Sequence, residues 1–176
     1  SPRPIEMTSI PAEEPLVDAH RLLASDLRQH GIEVVWSLPT DLPPVRGDAA
    51  RLRQVFINLL ANARDALLAV EASEPQIELG IQVREEGVRY LVRDNGPGVP
   101  EELVDNLFRA FTGAKHKGVG LGLAISRSIA QNHGGDLRLE KGANGRGASF
   151  VLSLPIDPPE EDFAERADTN GSTEMS

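Results

Sequence analysis

The longest hydrophobic pattern in the chain predicts a helix in its first half. Apolar side chains recur every three or four residues from Leu52 to Val70, so they share one face of a helix. Asp48 lies just ahead of this pattern and is a residue type that caps helix N-termini, while Pro75 lies beyond its end. We therefore expect a helix that begins after Asp48 and ends near Ala72.

Other apolar segments predict three more helices and five strands. The evidence is helical spacing or alternation of apolar and polar positions, with Gly or Pro near the ends. The helices are expected over 15–30, 101–108 and 119–133, and the strands over 32–38, 76–84, 88–94, 136–141 and 148–154. Because hairpins alternate with helices, we expect an α+β two-layer sandwich in which a mixed or antiparallel sheet carries helices on one face.

The two ends of the chain differ from this central part. Residues 1–12 are rich in proline and are expected to form an extended N-terminal segment. Acidic residues dominate 157–176, which predicts a solvated, disordered tail. These limits leave 13–156 as one folded domain. The chain opens on Ser1 rather than Met, so we expect it to be part of a longer protein.

Composition excludes several classes of function. The formal charge of −9 disfavours nucleic-acid binding, because that affinity comes largely from neutralising phosphates. The chain has no cysteine, so disulfides, thiolate metal sites and cysteine nucleophiles are excluded. No apolar run approaches the ~20 residues of a membrane helix, and no signal-peptide pattern opens the chain.

Two asparagines on the long helix are candidates for a metal or phosphate site. Asn58 and Asn62 are four residues apart and lie on the same side of the helix, beside its apolar face. In one interpretation both amides bond neighbouring backbone groups. In the other, Asn62 offers its carbonyl oxygen to Mg²⁺, which takes oxygen ligands and needs phosphates to complete its shell.

Asp94 ends a predicted strand and precedes a turn that contains Gly96 and Gly98. Strict alternation places its side chain on the same face as Tyr90 and Val92, the face expected to be buried. A buried carboxylate is costly unless some group donates a hydrogen bond to it. An exocyclic amine such as that of adenine could do so, and the alternative is an aspartate that merely caps the turn.

A glycine-rich segment over 118–122 precedes a predicted helix, where backbone N–H groups and the helix dipole can hold phosphate. It is not a Walker A loop, because Val119 stands where that motif needs Lys. It is not a dinucleotide fingerprint either, because Leu123 replaces the third glycine. A further pair, Gly145 and Gly147, opens the last strand, where a plain hairpin loop is the alternative.

Taken together in this order and spacing, the motifs of residues 48–154 resemble the catalytic, ATP-binding domain of bacterial two-component sensor histidine kinases. This domain belongs to a superfamily shared with DNA gyrase and MutL. The segment QVFINLLANARDAL is similar to the N box, LFRAF to the F box, and DNGPGVP, GVGLGLAI and GRGASF to the three glycine boxes. The resemblance implies a mixed five-stranded sheet with three helices on one face.

The resemblance also implies roles for individual residues. Asp94 would bind the adenine amino group, in a pocket shaped by Gly96 and Gly98. Asn62 would hold Mg²⁺, and Asn58 would support the phosphate side. Further contacts with the nucleotide are implied for Asp65, Gly118, Val119, Gly120, Leu121, Gly122, Leu123 and Ala148.

A lid over the nucleotide is implied for residues from about Pro100 to Gly118. Phe108 and Phe111 would anchor it, and Lys115 would reach the phosphates and act in catalysis with the two asparagines. The chain departs from the family where Gly113-Ala114 replace the usual pair of threonines, which removes hydroxyls that cap the lid or touch phosphate.

The residue one turn before the implied Mg²⁺ ligand favours a kinase over an ATPase. Hydrolases of the superfamily have a glutamate there, whereas this chain has Asn58, an amide that accepts no proton at neutral pH. We therefore expect the γ-phosphate to pass to a histidine on a separate dimerisation domain. None of the four histidines of this chain fits that acceptor, and His133 is instead expected to cap the end of a helix.

The expected partners follow from this interpretation. They are the dimerisation and phosphotransfer domain, which lies outside this chain, and a response regulator reached through the full-length kinase. We expect no nucleic acid, no direct membrane contact and a monomeric chain, located in the cytoplasm either alone or as part of a membrane-anchored sensor. The alternative is a degenerate module that binds nucleotide or a protein partner without kinase activity.

Overall fold

The computed structural model describes residues 3–109, 119–141 and 146–156, with the backbone alone for 119–121. In chain order the elements are β1 Thr8–Ile10, α1 Glu14–Gln29, β2 Glu33–Ser37, β3 Val45–Gly47, α2 Ala49–Ala69, β4 Gln76–Arg84, β5 Gly87–Asp94, α3 Glu101–Val104, α4 Val119–Asn132, β6 Asp136–Lys141 and β7 Ala148–Leu154. Every predicted helix and strand is present, although α3 is shorter than expected. None of the helices within these ranges has the length and apolarity needed to cross a bilayer.

The long helix α2 is the centre of the helical layer. Asp48 is its N-cap, as predicted, because its backbone is extended and its side chain accepts a hydrogen bond from the Arg51 N–H at 3.2 Å. The apolar face of α2 includes Leu52, Phe56 and Leu60, all fully buried. This face packs on β5, and α2 also contacts both α1 and α4.

The main sheet has five strands in the order β2-β4-β5-β7-β6. β2 runs parallel to β4, and the remaining pairs are antiparallel, so the sheet is mixed. The three long helices cover one face, with α2 against β5, α4 against β6 and β7, and α1 against α2. The predicted α+β two-layer sandwich is therefore confirmed.

A second, two-stranded sheet was not predicted. β1 pairs antiparallel with β3, with Ser9 opposite Arg46. Each strand has three residues, too few for an alternating pattern to be distinguished from a turn. Ile10 and Ala12 are buried, so the extended segment at the N-terminus contributes apolar side chains to the core.

The central strand β5 places Asp94 on the helix-covered face. Tyr90, Val92 and Asp94 are all buried, which confirms the alternation read from the sequence. The Tyr90 hydroxyl donates a hydrogen bond to the Ala12 carbonyl at 2.6 Å, and its ring centroid lies 5.0 Å from that of Phe56. Asp94 therefore lies at the end of a strand that is held in place by the contacts of Tyr90.

Candidate functional site

Asp94 is a buried carboxylate bonded mainly to backbone groups. Its side chain is 4% exposed, and its Oδ1 accepts a hydrogen bond from the Gly96 N–H at 2.9 Å. Burial raises the pKa of Asp94 above its ordinary value, while backbone N–H groups of Gly96 and Ala148 oppose that shift. No ion pair within the described residues compensates its charge. The carboxylate is thus suited to accept a hydrogen bond from a neutral amine.

Three glycines let backbone segments meet around this carboxylate. A Cβ at Gly96 would lie 2.9 Å from Asp94 Oδ1, closer than a side chain tolerates. Gly147 has a φ of +75°, and a Cβ there would overlap the Asp94 carbonyl oxygen. Gly98 has a φ of +84°, and its Cβ would lie 3.0 Å from the Gly147 carbonyl oxygen. The loop after β5 and the start of β7 therefore form one cradle of backbone at Asp94.

Asn62 lies on α2, one turn after Asn58. Its Nδ2 is buried and has no hydrogen-bond acceptor among the residues that the structure describes. A buried polar group without a partner is costly and is found where a ligand or an ion completes the site. Asn62 therefore fits a ligand-binding role better than the alternative in which its amide bonds neighbouring backbone groups.

Asn58 is bonded on both sides of its amide. Its Nδ2 donates to the Ser126 hydroxyl at 3.1 Å and to the Gly122 carbonyl at 3.4 Å. Its Oδ1 accepts a hydrogen bond from Gln54 Nε2 at 3.0 Å. The two asparagines thus differ. Asn58 is bonded to the first turns of α4, whereas Asn62 presents a donor without an acceptor in the described part of the chain.

Asp65 is held by an arginine of its own helix. Its Oδ1 accepts a hydrogen bond from Arg64 Nε at 3.1 Å, and its side chain is 58% exposed. Arg64 also pairs with Asp26 of α1 at 2.9 Å. In this arrangement the carboxylate of Asp65 belongs to a contact between α1 and α2.

Phe108 lies within the predicted lid and is held by two elements of the core domain. Its ring packs edge to face on Phe150 of β7, with centroids 6.3 Å apart. The guanidinium of Arg127 on α4 lies 5.1 Å from the Phe108 ring centre, and Arg127 Nε bonds Asp136 Oδ1 at 3.1 Å. The predicted anchor at Phe108 therefore has two partners.

The other predicted site residues fall into three groups. Phe111, Lys115 and Gly118 lie outside the described residues. The backbone of Val119, Gly120 and Leu121 forms the first turn of α4, next to Gly122. Leu123 is fully buried in the core, so only its backbone is available to a ligand, and Ala148 is buried with its N–H directed to Asp94.

Sequence reasoning missed several residues that the structure brings to this region. Ser126, Gln54 and Arg127 were not assigned a role. Ser126 had a detectable signal, because it is a polar residue at helical spacing within the apolar face of α4 and is fully buried. Gln54 bonds Asn58 one turn along the same helix. Arg127 contacts Phe108, which is distant in sequence, so no local pattern indicates that contact.

Comparison with known proteins adds a family assignment. Residues 47–158 match the family described as "Histidine kinase-, DNA gyrase B-, and HSP90-like ATPase". The two-component sensor PprA of Pseudomonas aeruginosa is 44% identical over 146 residues, which cover 80% of this chain and 16% of that protein. The chain thus spans about a sixth of the length of this curated relative.

Solved structures agree with the fold. The catalytic domain of histidine kinase ThkA superposes with a TM-score of 0.75 at 30% identity, covering 87% of this chain and 99% of that chain. Full-length ShkA in complex with AMPPNP superposes with a TM-score of 0.73 at 29% identity, covering 90% of this chain and 33% of that chain.

Proposed function

The chain belongs to the family of histidine kinase-, DNA gyrase B- and HSP90-like ATPases, and we propose that it is the catalytic domain of a two-component sensor histidine kinase. In this role it binds ATP with Mg²⁺ and transfers the γ-phosphate to a histidine on a separate dimerisation domain. The observation that carries the proposal is Asp94, a buried carboxylate at a glycine cradle whose described contacts include no cation.

The adenine end of the site is built on Asp94. A carboxylate at this position accepts a hydrogen bond from the exocyclic amine of adenine, which is the kind of donor that a buried acceptor requires. Gly96 and Gly98 let the loop after β5 pack closely at this carboxylate, because side chains there would meet Asp94 or Gly147. Ala148 contributes its N–H, which holds the Asp94 carboxylate in place.

The phosphate end of the site is built on α2 and the start of α4. Asn62 would hold Mg²⁺ through its carbonyl oxygen. Its buried Nδ2, which has no acceptor among the described residues, is a donor suited to a phosphate oxygen. When bound, Mg²⁺ supplies positive charge that neutralises the phosphate oxygens during transfer. The first turn of α4, from Val119 to Gly122, presents backbone N–H groups at the positive end of a helix dipole, which favours phosphate.

The residues of this chain contribute alignment rather than proton transfer. Asn58 cannot act as a base, so water is not activated at that position and the γ-phosphate is kept for the acceptor histidine. Phosphoryl transfer depends mostly on positioning and charge neutralisation, both of which a fixed nucleotide site supplies. Phe108 and Phe111 would anchor the lid, and Lys115 would reach the phosphates.

The rest of the signalling pathway lies beyond this chain. Its acceptor histidine would be on a dimerisation domain of the same protein, and a response regulator would receive the phosphate from it, as the description of PprA as a two-component sensor suggests. We propose that the chain itself is monomeric and acts in the cytoplasm. In this organisation 13–156 is the catalytic domain, with 1–12 leading into it and 157–176 as a tail.

Calorimetric titration of a non-hydrolysable ATP analogue tests the nucleotide site. We expect micromolar affinity, roughly −8 kcal/mol, that weakens without Mg²⁺. Asp94→Asn should abolish binding, whereas Asp41→Asn should leave it unchanged because Asp41 is an exposed loop residue that loses the same charge. Asn62→Ala should remove the dependence on Mg²⁺.

Phosphoryl transfer needs a separate experiment. The chain is mixed with radiolabelled ATP and an isolated dimerisation domain of a sensor histidine kinase. Acid-labile label on that domain, which is the signature of phosphohistidine, is the expected result. Steady release of inorganic phosphate by the chain alone would instead favour an ATPase, and binding without transfer would favour the degenerate module.

A further inference from the structure

We propose that Gln54, Asn58 and Ser126 form a clamp that fixes the first turns of α4 for phosphate binding, and that Asn58 acts by this route rather than by touching the nucleotide. The inference rests on the proposed function and extends it to two residues, Gln54 and Ser126, that carry no assigned role. In this proposal Gln54, Asn58 and Ser126 are positioning residues, which act through α4 and do not touch the nucleotide.

The hydrogen-bonding capacity of Asn58 is the first argument. Its amide nitrogen has two acceptors within hydrogen-bond distance, both on α4, the Ser126 hydroxyl at 3.1 Å and the Gly122 carbonyl at 3.4 Å. The carbonyl oxygen of the amide accepts from Gln54 Nε2 at 3.0 Å. A direct donation from Asn58 to phosphate would therefore require one of the bonds to α4 to break.

The place where the clamp grips α4 is the second argument. Gly122 and Ser126 are one turn apart, so a single amide from α2 holds both ends of that turn. This turn directly follows the backbone of 119–121, which opens the helix. A helix N-terminus binds an anion well only if its N–H groups are held in position, since orientation lost in the free protein must be restored on binding.

The burial of Ser126 is the third argument. Ser126 is fully buried among apolar residues of α4 such as Leu123 and Ala130. A buried hydroxyl needs a partner, and the hydrogen bond from Asn58 supplies it. Packing alone would be served as well by alanine, so the hydroxyl is explained by the bond that it receives.

Burial also ranks the members of the clamp. The bond between Asn58 and Ser126 lies in the protected part of the structure, whereas the bond from Gln54 is exposed to solvent. Because water competes for exposed hydrogen bonds, Ser126 should contribute more than Gln54. Gln54 restrains the amide plane of Asn58 from the outer side.

The test compares two probes that occupy different parts of the site. Adenosine engages the Asp94 end alone, whereas a non-hydrolysable ATP analogue with Mg²⁺ also engages the α4 end. Both affinities are measured by calorimetry on the full 176-residue chain. Where adenosine binds weakly, its affinity is measured by competition with the ATP analogue. The variants are Ser126→Ala, Ser126→Thr, which keeps the hydroxyl, and Ser128→Ala, a matched control at an exposed serine of the same helix.

The clamp predicts a loss confined to the phosphate end. Ser126→Ala should weaken binding of the ATP analogue roughly three- to tenfold, which corresponds to one buried hydrogen bond. Adenosine affinity should stay within twofold, and Ser126→Thr should bind the analogue like the wild type. Gln54→Ala should weaken binding of the analogue by about twofold. Because Gln54 is exposed, this variant keeps the test valid if Ser126→Ala fails to fold.

Three results would overturn the inference. A parallel loss of both probes in Ser126→Ala would mean general disruption of the fold, and an unchanged affinity for the analogue in both Ser126→Ala and Gln54→Ala would mean that the clamp has no role. In either case normal binding by the wild type leaves the proposed function standing. If the wild type binds neither probe, the proposed function fails and the clamp fails with it.

Discussion

The backbone N–H of Asp48 donates a hydrogen bond to Nε2 of His133 at 3.0 Å, which joins the start of α2 to the end of α4. The other ring nitrogen of His133, Nδ1, lies 2.8 Å from the Ile129 carbonyl. Since a carbonyl only accepts and a backbone N–H only donates, Nδ1 carries the proton and Nε2 is the unprotonated acceptor. His133 therefore closes the last turn of α4, as expected from the sequence, and also binds a helix 85 positions earlier.

His133→Ala should destabilise the domain by about 1–3 kcal/mol, because it leaves the buried N–H of Asp48 without an acceptor. Urea unfolding of the variant measures the loss. His30→Ala is the matched control, since His30 also lies near the carbonyl of the residue four positions before it, Asp26, but does so at the surface. An equal loss in both variants would contradict the role assigned to the contact with Asp48.

Asp94→Asn should leave the domain at least as stable as the wild type while nucleotide binding is lost. Burial raises the pKa of Asp94, so its folded carboxyl holds a proton more tightly than the unfolded one. Stability from this group is fully present below its ordinary pKa and is lost as pH rises through the raised value. The advantage of Asn over Asp should therefore grow as pH rises above the ordinary pKa of an aspartate and level off above the raised pKa of Asp94.

Thermal unfolding of both proteins at several pH values without nucleotide checks this prediction. The Asn side chain keeps an oxygen that can accept the hydrogen bond from the Gly96 N–H, so the cradle is retained. A variant that is less stable than the wild type at pH 7 would mean that the ionised carboxylate stabilises the empty site. In that case a group of the protein itself, rather than a ligand, would have to donate a hydrogen bond to the Asp94 carboxylate.

Sequence patterns predicted most of the fold because the fold depends on regular periodicity. The apolar stripe of α2 and the alternation in β5 are both long enough to exceed chance, and the cap at Asp48 is a local signal. The pairing of β1 with β3 was not predicted, because a strand of three residues is too short to show an alternating pattern. Its register depends on contacts between segments that are distant along the chain.

The site was predictable in part, for a different reason. Asp94 was found because a charged residue at a buried position contradicts the pattern around it. The resemblance assigned Mg²⁺ to Asn62 and the phosphate side to Asn58, but the helical pattern alone does not separate them, since both occupy the same helix face. In the structure they differ in their hydrogen-bond partners. The pairing of Arg127 with Phe108 likewise depends on the packing of distant elements.

Arg127 and Phe108 should show measurable coupling in their contributions to stability. The Arg127 guanidinium over the Phe108 ring predicts a coupling energy of about 0.5–1 kcal/mol in a double-mutant cycle of Arg127→Met and Phe108→Leu. Unfolding in urea supplies the four free energies. Arg138→Met, an exposed change of the same kind on β6, should not couple to Phe108→Leu, and coupling as large as that of Arg127 would contradict the contact.

His20 and Trp36 form an edge-to-face pair whose ring centroids are 5.1 Å apart, and Trp36 is the single tryptophan of the chain. Burial, and then the charge of Arg28, lower the pKa of His20 from its ordinary value of 6.5. Because a protonated imidazole quenches indole fluorescence, we expect the emission of Trp36 to fall on acidification with a midpoint below 6.5. The His20→Gln variant should show no such step, and Arg28→Gln should move the midpoint upwards.

The lowered pKa of His20 also predicts how stability depends on pH. The unfolded chain binds a proton at His20 more readily than the folded chain does, so the unfolding free energy should fall as pH drops below 6.5. It should stop falling once pH passes the lowered pKa of the folded state, where both forms are protonated. Urea unfolding between pH 7.5 and pH 5, compared with His20→Gln, isolates this contribution from that of other groups. A wild type and variant with parallel pH profiles would show that His20 titrates alike in both states.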